Sequence, residues 1–193
     1  MSPVWCLITD RRRWGTGWRT AVPARVHEAA RAGVHLIQVR EPDLEGGALH
    51  DLVTACVEAV RGTRSRVLVN DRLDVALTAD AHGVHLRGDS MPASRVRALV
   101  HRPFLIGRSI HSLAEAQEAE SSSLDYLILG TVFPSASKPE REPLGLAGLR
   151  AIVSATGLPV LAVGGVTDAN VQQVLDTGAA GAAAIGLFAG GRE

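Results

Sequence analysis

The chain has 193 residues, of which 46% are hydrophobic, so it is long enough to bury one sizeable core and is expected to form a single domain over residues 1–193. Its 20 basic residues balance its 20 acidic ones, which argues against electrostatic attraction to nucleic acid or to a membrane surface. Two cysteines are too few for a disulfide scaffold, and neither a signal peptide pattern nor a long apolar run is seen. We therefore expect a cytoplasmic protein whose partner is a small molecule.

Short aliphatic runs recur along the chain, and each has the length and composition of a buried β-strand. The eight candidates are residues 4–8, 36–39, 67–69, 83–86, 105–106, 126–129, 160–163 and 182–185. Helical spacing of apolar residues fills the intervals, most clearly in residues 49–60. Alternating strands and amphipathic helices predict a parallel sheet, and eight such units predict a closed (β/α)8 TIM barrel. An open doubly wound sheet is the alternative.

The sequence ends soon after the eighth candidate strand. Because only eight residues follow Ile185, we expect the barrel to lack most of its final helix. The outer face of strands eight and one would then be exposed, or a second copy of the chain would cover it in a homodimer.

Polar residues end several of the predicted strands. Catalytic groups of TIM barrels gather at the carboxyl ends of the strands and in the loops that follow, so these residues are the candidates for the site. In chain order they are Asp10, Gln38, Arg40, Asn70, Asp71, Ser109, His111 and Thr131.

Two further segments have the composition of an anion site. Hydroxyls and an ammonium group at Ser135, Ser137 and Lys138 could close over an anion, or could belong to a solvated loop. Backbone amides after strands seven and eight form the usual phosphate site of barrels, although these glycines could also be simple turn residues. The residues in question are Gly164, Gly165, Ile185 and Gly186.

Six segments, in order along nearly the whole chain, resemble the thiamin phosphate synthase and TenI superfamily. They are residues 7–10, 37–41, 70–77, 83–86, 130–138 and 163–167. Any one could arise by chance, but six in the same order make the match specific. The resemblance implies a TIM barrel that binds a phosphorylated thiazole.

In the synthase branch, thiazole phosphate attacks a pyrimidine carbocation while Mg²⁺-bound pyrophosphate leaves. The resemblance implies that Asp71 holds the Mg²⁺. Residues implied to bind the pyrophosphate or the pyrimidine are Gln38, Arg40, Asn70, Ser109, Ser135, Ser137 and Lys138. Residues implied to hold the thiazole phosphate are Gly164, Gly165, Ile185 and Gly186.

Three positions depart from the synthase pattern. Pro42 replaces a lysine, Ser90 replaces the second carboxylate expected to bind Mg²⁺, and Arg87 stands in place of a glycine before it. Mg²⁺ prefers carboxylate or phosphate oxygens in octahedral geometry. Asp71 alone therefore predicts a weak Mg²⁺ site, unless Asp89 rearranges or Arg87 replaces the metal.

These losses, together with residues 106–112, resemble the TenI branch, whose members are implicated in thiazole tautomerisation. That proton shift needs no metal, but it needs a general base near neutral pH, which histidine supplies best. TenI has a histidine where this chain has Thr131, and a threonine hydroxyl is no base at neutral pH by itself. His111 is the first substitute and could instead brace its loop; His85 is the second, although an inward histidine that packs in the barrel is the simpler interpretation.

Three hypotheses about function follow. The preferred one is a TenI-like thiazole tautomerase with His111, Thr131 and Ser109 at the catalytic centre. The alternative is a thiamin phosphate synthase that requires Mg²⁺. The third is a non-catalytic binding or regulatory protein that holds the phosphorylated thiazole without turnover.

Overall fold

A computed structural model describes residues 2–100, 103–119, 123–135 and 139–185. Within these ranges eight strands alternate with seven α-helices, and a short 3-10 helix, Arg11–Gly17, precedes the first of them. The strands are β1 (Val4–Ile8), β2 (Leu36–Val39), β3 (Arg66–Asn70), β4 (Gly83–Leu86), β5 (Leu105–Ile110), β6 (Tyr126–Gly130), β7 (Val160–Val163) and β8 (Gly181–Ala184). The helices are α1 (Trp18–Arg31), α2 (Gly46–Ala59), α3 (Leu73–Thr78), α4 (Ala93–Leu99), α5 (Leu113–Ala119), α6 (Gly145–Ser154) and α7 (Val171–Leu175).

Each strand pairs in parallel with the next, and β8 pairs with β1 to close the barrel. This confirms the predicted (β/α)8 TIM barrel and rules out the open doubly wound sheet. None of the helices in the described ranges is long and apolar enough to cross a membrane. Residues 186–193, where the final helix would begin, lie outside the described residues, so the expected loss of that helix stays an expectation.

The strands are buried on both faces, which explains why they are continuous apolar runs in the sequence. Outward side chains such as Ile37, Val67 and Leu127 pack against the helices. Inward side chains form a second, smaller cluster that fills the barrel. Its buried members are Cys6, Ile8, Leu36, Leu68, Tyr126, Ile128, Leu161 and Ala183.

Strand β5 is longer than its apolar run predicts. The sequence indicates only residues 105–106, yet the pairing with β6 continues through Ser109 and Ile110. Backbone hydrogen bonds to a neighbouring strand do not require an apolar side chain, so a polar continuation is invisible to hydropathy. The extension matters because it places Ser109 inside the barrel.

Candidate active site at the carboxyl ends of the strands

Gln38 and Asn70 lie side by side at the ends of β2 and β3. Gln38 is 3% exposed, and its Nε2 donates a 3.0 Å hydrogen bond to Asn70 Oδ1. Gln38 pairs with Leu68, an inward residue of β3, and Asn70 lies two residues further along β3, so it faces the same side. The structure thus brings together two of the residues predicted to bind the pyrimidine or its diphosphate.

Arg40 is held at the same edge through its backbone, while its side chain is exposed. Its N–H donates to Thr9 Oγ1 at 3.1 Å, and the Thr9 hydroxyl donates to Glu41 Oε1 at 2.6 Å. The same Glu41 oxygen accepts from the N–H of Arg11 at 3.0 Å. Burial raises the pKa of Glu41, whereas the hydrogen bonds from the Thr9 hydroxyl and the Arg11 N–H lower it. Glu41 therefore ties the loop after β1 to the loop after β2, a role that the sequence analysis missed.

His85 is enclosed in the barrel, as the packing interpretation predicts. It is 1% exposed, with Nε2 2.8 Å from Ser109 Oγ and Nδ1 3.1 Å from the Tyr126 hydroxyl. Burial, and then the positive charge of Arg40, lower the pKa of His85 to about 3. The imidazole is therefore neutral near pH 7 and is too weak a base to replace the histidine that Thr131 lacks.

Tyr126, the only tyrosine of the chain, was missed as a member of this network. It begins β6 opposite Gly107, and a Cβ added to that glycine would lie 2.1 Å from the Tyr126 Cζ. The ring therefore occupies the space that the missing side chain leaves. A glycine inside a strand is the sequence signal for such a close approach, but Gly107 lies just beyond the predicted strand 105–106, so this signal was not available.

His111 lies beside the peptide that joins Gly130 to Thr131. Its Nδ1 is 2.5 Å from Gly130 O, and its backbone N–H donates to Glu115 Oε2 at 2.6 Å. A carbonyl oxygen only accepts, so Nδ1 carries a proton in this contact, and Nε2 is the ring nitrogen left to act on a ligand. The structure thus places the first substitute base next to Thr131, which is itself 5% exposed.

Gly164 and Gly165 form the turn after β7 and require glycine on two grounds. Their φ angles are 95° and 64°, which side chains rarely adopt. A Cβ on Gly164 would lie 2.6 Å from Thr131 Cγ2, and one on Gly165 would lie 2.5 Å from Pro134 O. The loops after β6 and β7 are therefore packed directly on each other.

The remaining predicted residues divide into described and undescribed ones. Ile185 is partly buried just beyond β8 and packs on the inner cluster, and Ser135 is partly buried in the loop after β6. Ser137, Lys138 and Gly186 lie outside the described residues. The predicted phosphate-binding role of these five residues and of the two glycines after β7 stays a prediction.

The residues at the predicted Mg²⁺ site do not fit a divalent metal. Asp71 Oδ1 accepts from the Ser90 hydroxyl, and Asp71 Oδ2 lies 3.8 Å from Arg87 Nη1. Asp89 Oδ2 accepts from Arg87 Nη2 at 2.8 Å and so faces the guanidinium. In the part of the chain that the structure describes, no three His, Cys, Asp or Glu residues are grouped as metal ligands. The two carboxylate oxygens of Asp71 that a metal would need thus face the Ser90 hydroxyl and the Arg87 guanidinium instead.

A closed barrel of eight parallel strands with polar side chains gathered at their carboxyl ends is the architecture of the TIM-barrel enzymes. The family described as thiamine monophosphate synthase matches residues 5–188. The chain therefore belongs to this family of thiamin-biosynthesis enzymes, as the resemblance of the six segments implies.

Similar proteins agree with this assignment. The chain is 38% identical to a thiamine-phosphate synthase of Roseiflexus castenholzii, over 95% of this chain and 80% of the relative. It is 34% identical to a putative thiamine-phosphate synthase 2 of Aquifex aeolicus, over 94% and 95% of the two chains. A solved thiamine phosphate pyrophosphorylase of Pyrococcus furiosus superposes with a TM-score of 0.81 at 35% identity, over 94% of this chain and 84% of that one. These names favour the synthase alternative over the tautomerase that the sequence analysis preferred.

Proposed function

We propose that this protein is a thiamin phosphate synthase, which joins hydroxymethylpyrimidine diphosphate to thiazole phosphate. The observation that carries the proposal is the set of polar side chains around the inner end of the barrel: Gln38, Asn70 and Ser109 beside a neutral His85. A pyrimidine cation that forms here would meet oxygen dipoles rather than an imidazolium charge. Such fixed dipoles stabilise charge that develops in the transition state.

The reaction requires no proton transfer by the protein. The C–O bond between the pyrimidine methylene and the diphosphate breaks, and its electron pair leaves with the diphosphate. The lone pair of the thiazole nitrogen then forms the new C–N bond, which leaves a thiazolium. In this scheme Arg40 stabilises the leaving diphosphate, and the amides at Gly164 and Gly165 hold the thiazole phosphate.

Thiazole tautomerisation is the second candidate, and one observation favours it. His111 Nδ1 contacts Gly130 O, directly beside the position where the resemblance places the tautomerase histidine, and so leaves Nε2 as the nitrogen that would act as the base. This geometry supplies a base that Thr131 lacks. Tautomerisation by such a base requires neither a metal nor a second substrate.

One assay separates these functions. The protein is incubated with hydroxymethylpyrimidine diphosphate and thiazole phosphate, and separately with the thiazole carboxylate phosphate tautomer, each with and without Mg²⁺. We expect thiamin phosphate to accumulate, and we expect Gln38→Ala to slow its formation at least about tenfold, since a buried contact to a charged or polar reactant is lost. Gln172→Ala on α7 removes an exposed amide bonded to Asp176 and is the matched control.

The other outcomes are equally specific. Tautomer interconversion that disappears in His111→Gln, with no thiamin phosphate formed, would replace the proposal by the tautomerase. Binding of thiazole phosphate without either product would indicate the non-catalytic protein.

A further inference from the structure

The loops after β3 and β4 hold a closed set of contacts centred on Arg87. Its backbone N–H donates to Ser90 Oγ at 2.7 Å, the Ser90 hydroxyl donates to Asp71 Oδ1, and Arg87 Nη1 lies 3.8 Å from Asp71 Oδ2. The contacts return to the residue from which they start. Asp71 is thus an orienting group for an arginine, with its carboxylate facing a hydroxyl proton on one side and a guanidinium on the other.

This arginine stands at the part of the site where a diphosphate would bind. Asp71 directly follows Asn70, which bonds Gln38, and its N–H donates to His85 O at 2.9 Å. This hydrogen bond therefore connects the end of β3 to β4 next to the inward polar side chains. Arg87 comes two residues after His85, and its side chain is 54% exposed.

We propose that Arg87 takes the place of a divalent metal in this protein and binds the diphosphate of the pyrimidine substrate directly, oriented by Asp71 and Ser90. The inference rests on the proposed synthase function. A guanidinium carries a permanent charge and five N–H donors in a planar fork that matches two phosphate oxygens. When the C–O bond breaks, its electron pair leaves with the diphosphate and Arg87 keeps its proton; the thiazole nitrogen of the second substrate then supplies the electron pair of the new C–N bond.

The present partner of the guanidinium does not block this role. Arg87 Nη2 contacts Asp89, whose side chain is 72% exposed. Exposed ion pairs contribute little net free energy, and a diphosphate carries more negative charge than one carboxylate. The diphosphate would therefore displace Asp89 from the guanidinium, while Asp71, whose side chain is 34% exposed, continues to orient it.

Calorimetric titration with sodium pyrophosphate tests the proposal on the intact protein treated with EDTA. We expect wild-type protein to bind pyrophosphate without metal, and added Mg²⁺ to change the Kd less than about twofold. Arg87→Gln should weaken binding at least about tenfold, since a charge-assisted bidentate contact is lost. Arg61→Gln removes another exposed arginine paired with one carboxylate, Glu58 at 2.7 Å, and should bind within about twofold of wild type as the matched control.

A gain of metal dependence provides the converse test. In a double variant with Arg87→Gly and Ser90→Asp, two carboxylates face each other without the guanidinium, and pyrophosphate binding should return only when Mg²⁺ is added. The proposal is overturned if the wild-type protein binds pyrophosphate only with Mg²⁺, or if Arg87→Gln binds it as tightly as wild type. Thiamin phosphate formation is measured in the same samples. If no thiamin phosphate forms while pyrophosphate still binds without metal and through Arg87, the proposed function is contradicted but the role of Arg87 in binding is not.

Discussion

Replacing His85 by glutamine should change how stability depends on pH. The folded protein lowers the pKa of His85 from 6.5 to about 3, because the imidazole is buried and, as a second cause, because the positive charge of Arg40 repels a proton on it. Between pH 6.5 and about pH 3, His85 is protonated in the unfolded chain but stays neutral in the folded protein. The unfolded state thus binds more protons, so the contribution of His85 to stability is complete above pH 6.5 and falls as the pH falls towards 3.

The size of the effect follows from the same shift. Each pH unit below 6.5 costs about 1.4 kcal/mol, so acidification from about pH 7.5 to about pH 4.5, of which about two units lie below 6.5, should remove about 3 kcal/mol through His85 alone. Glutamine does not titrate and can still donate to and accept from the Ser109 and Tyr126 hydroxyls. The stability difference between wild type and His85→Gln should therefore shrink by about this amount over the range.

Urea unfolding followed by circular dichroism at a series of pH values measures this difference. Titration of all other groups is common to both proteins and cancels when the two curves are subtracted. Tyr126→Phe is the control, since it removes one hydroxyl partner but leaves the imidazole enclosed, and it should keep the wild-type slope. Parallel curves for wild type and His85→Gln would refute the assignment of a neutral, desolvated histidine.

Two further predictions concern the packing of the barrel interior. Gly107→Ala should lower the free energy of unfolding by about 1–3 kcal/mol, because the new methyl group overlaps the Tyr126 ring, and an unchanged urea midpoint would contradict that placement. Cys6 and Cys56 should not react with a thiol reagent at mildly alkaline pH in the native protein, because burial raises the pKa of both thiols to about 12. Both should react once urea unfolds the chain, and a fast reaction before unfolding would show that the inner or outer core opens.

The barrel was predictable because its strands are buried on both faces. Runs such as residues 36–39 and 160–163 match β2 and β7 residue for residue, since continuous apolar segments of this length are typical of parallel sheets. The end of β5 was not predictable in this way, because Gly107, Arg108 and Ser109 interrupt the apolar run while the backbone pairing continues.

Some features of the candidate site could likewise be predicted from the sequence, and others could not. Strand ends can be read from the sequence, so Gln38 and Asn70 were expected at one edge, and the structure bonds them to each other. The contact of His111 with Gly130 O was not predictable, because a backbone carbonyl has no sequence signature. The low pKa of His85 depends on its enclosure by groups far away in the sequence, and no local pattern reports this.

The two halves of the candidate site lie on different arcs of a closed ring. Gln38 and Asn70 belong to the neighbouring strands β2 and β3, and Asp71 directly follows β3. Thr131 and Gly164 directly follow β6 and β7, on another part of the circle. Each arc is tied together by its own contacts, through Asn70 on one side and through the packing of Thr131 against Gly164 on the other. The two arcs are joined through His85 in β4, whose carbonyl oxygen accepts from the N–H of Asp71 and whose ring contacts the Tyr126 hydroxyl of β6. A substitution that displaces this buried histidine is therefore expected to disturb both arcs at once.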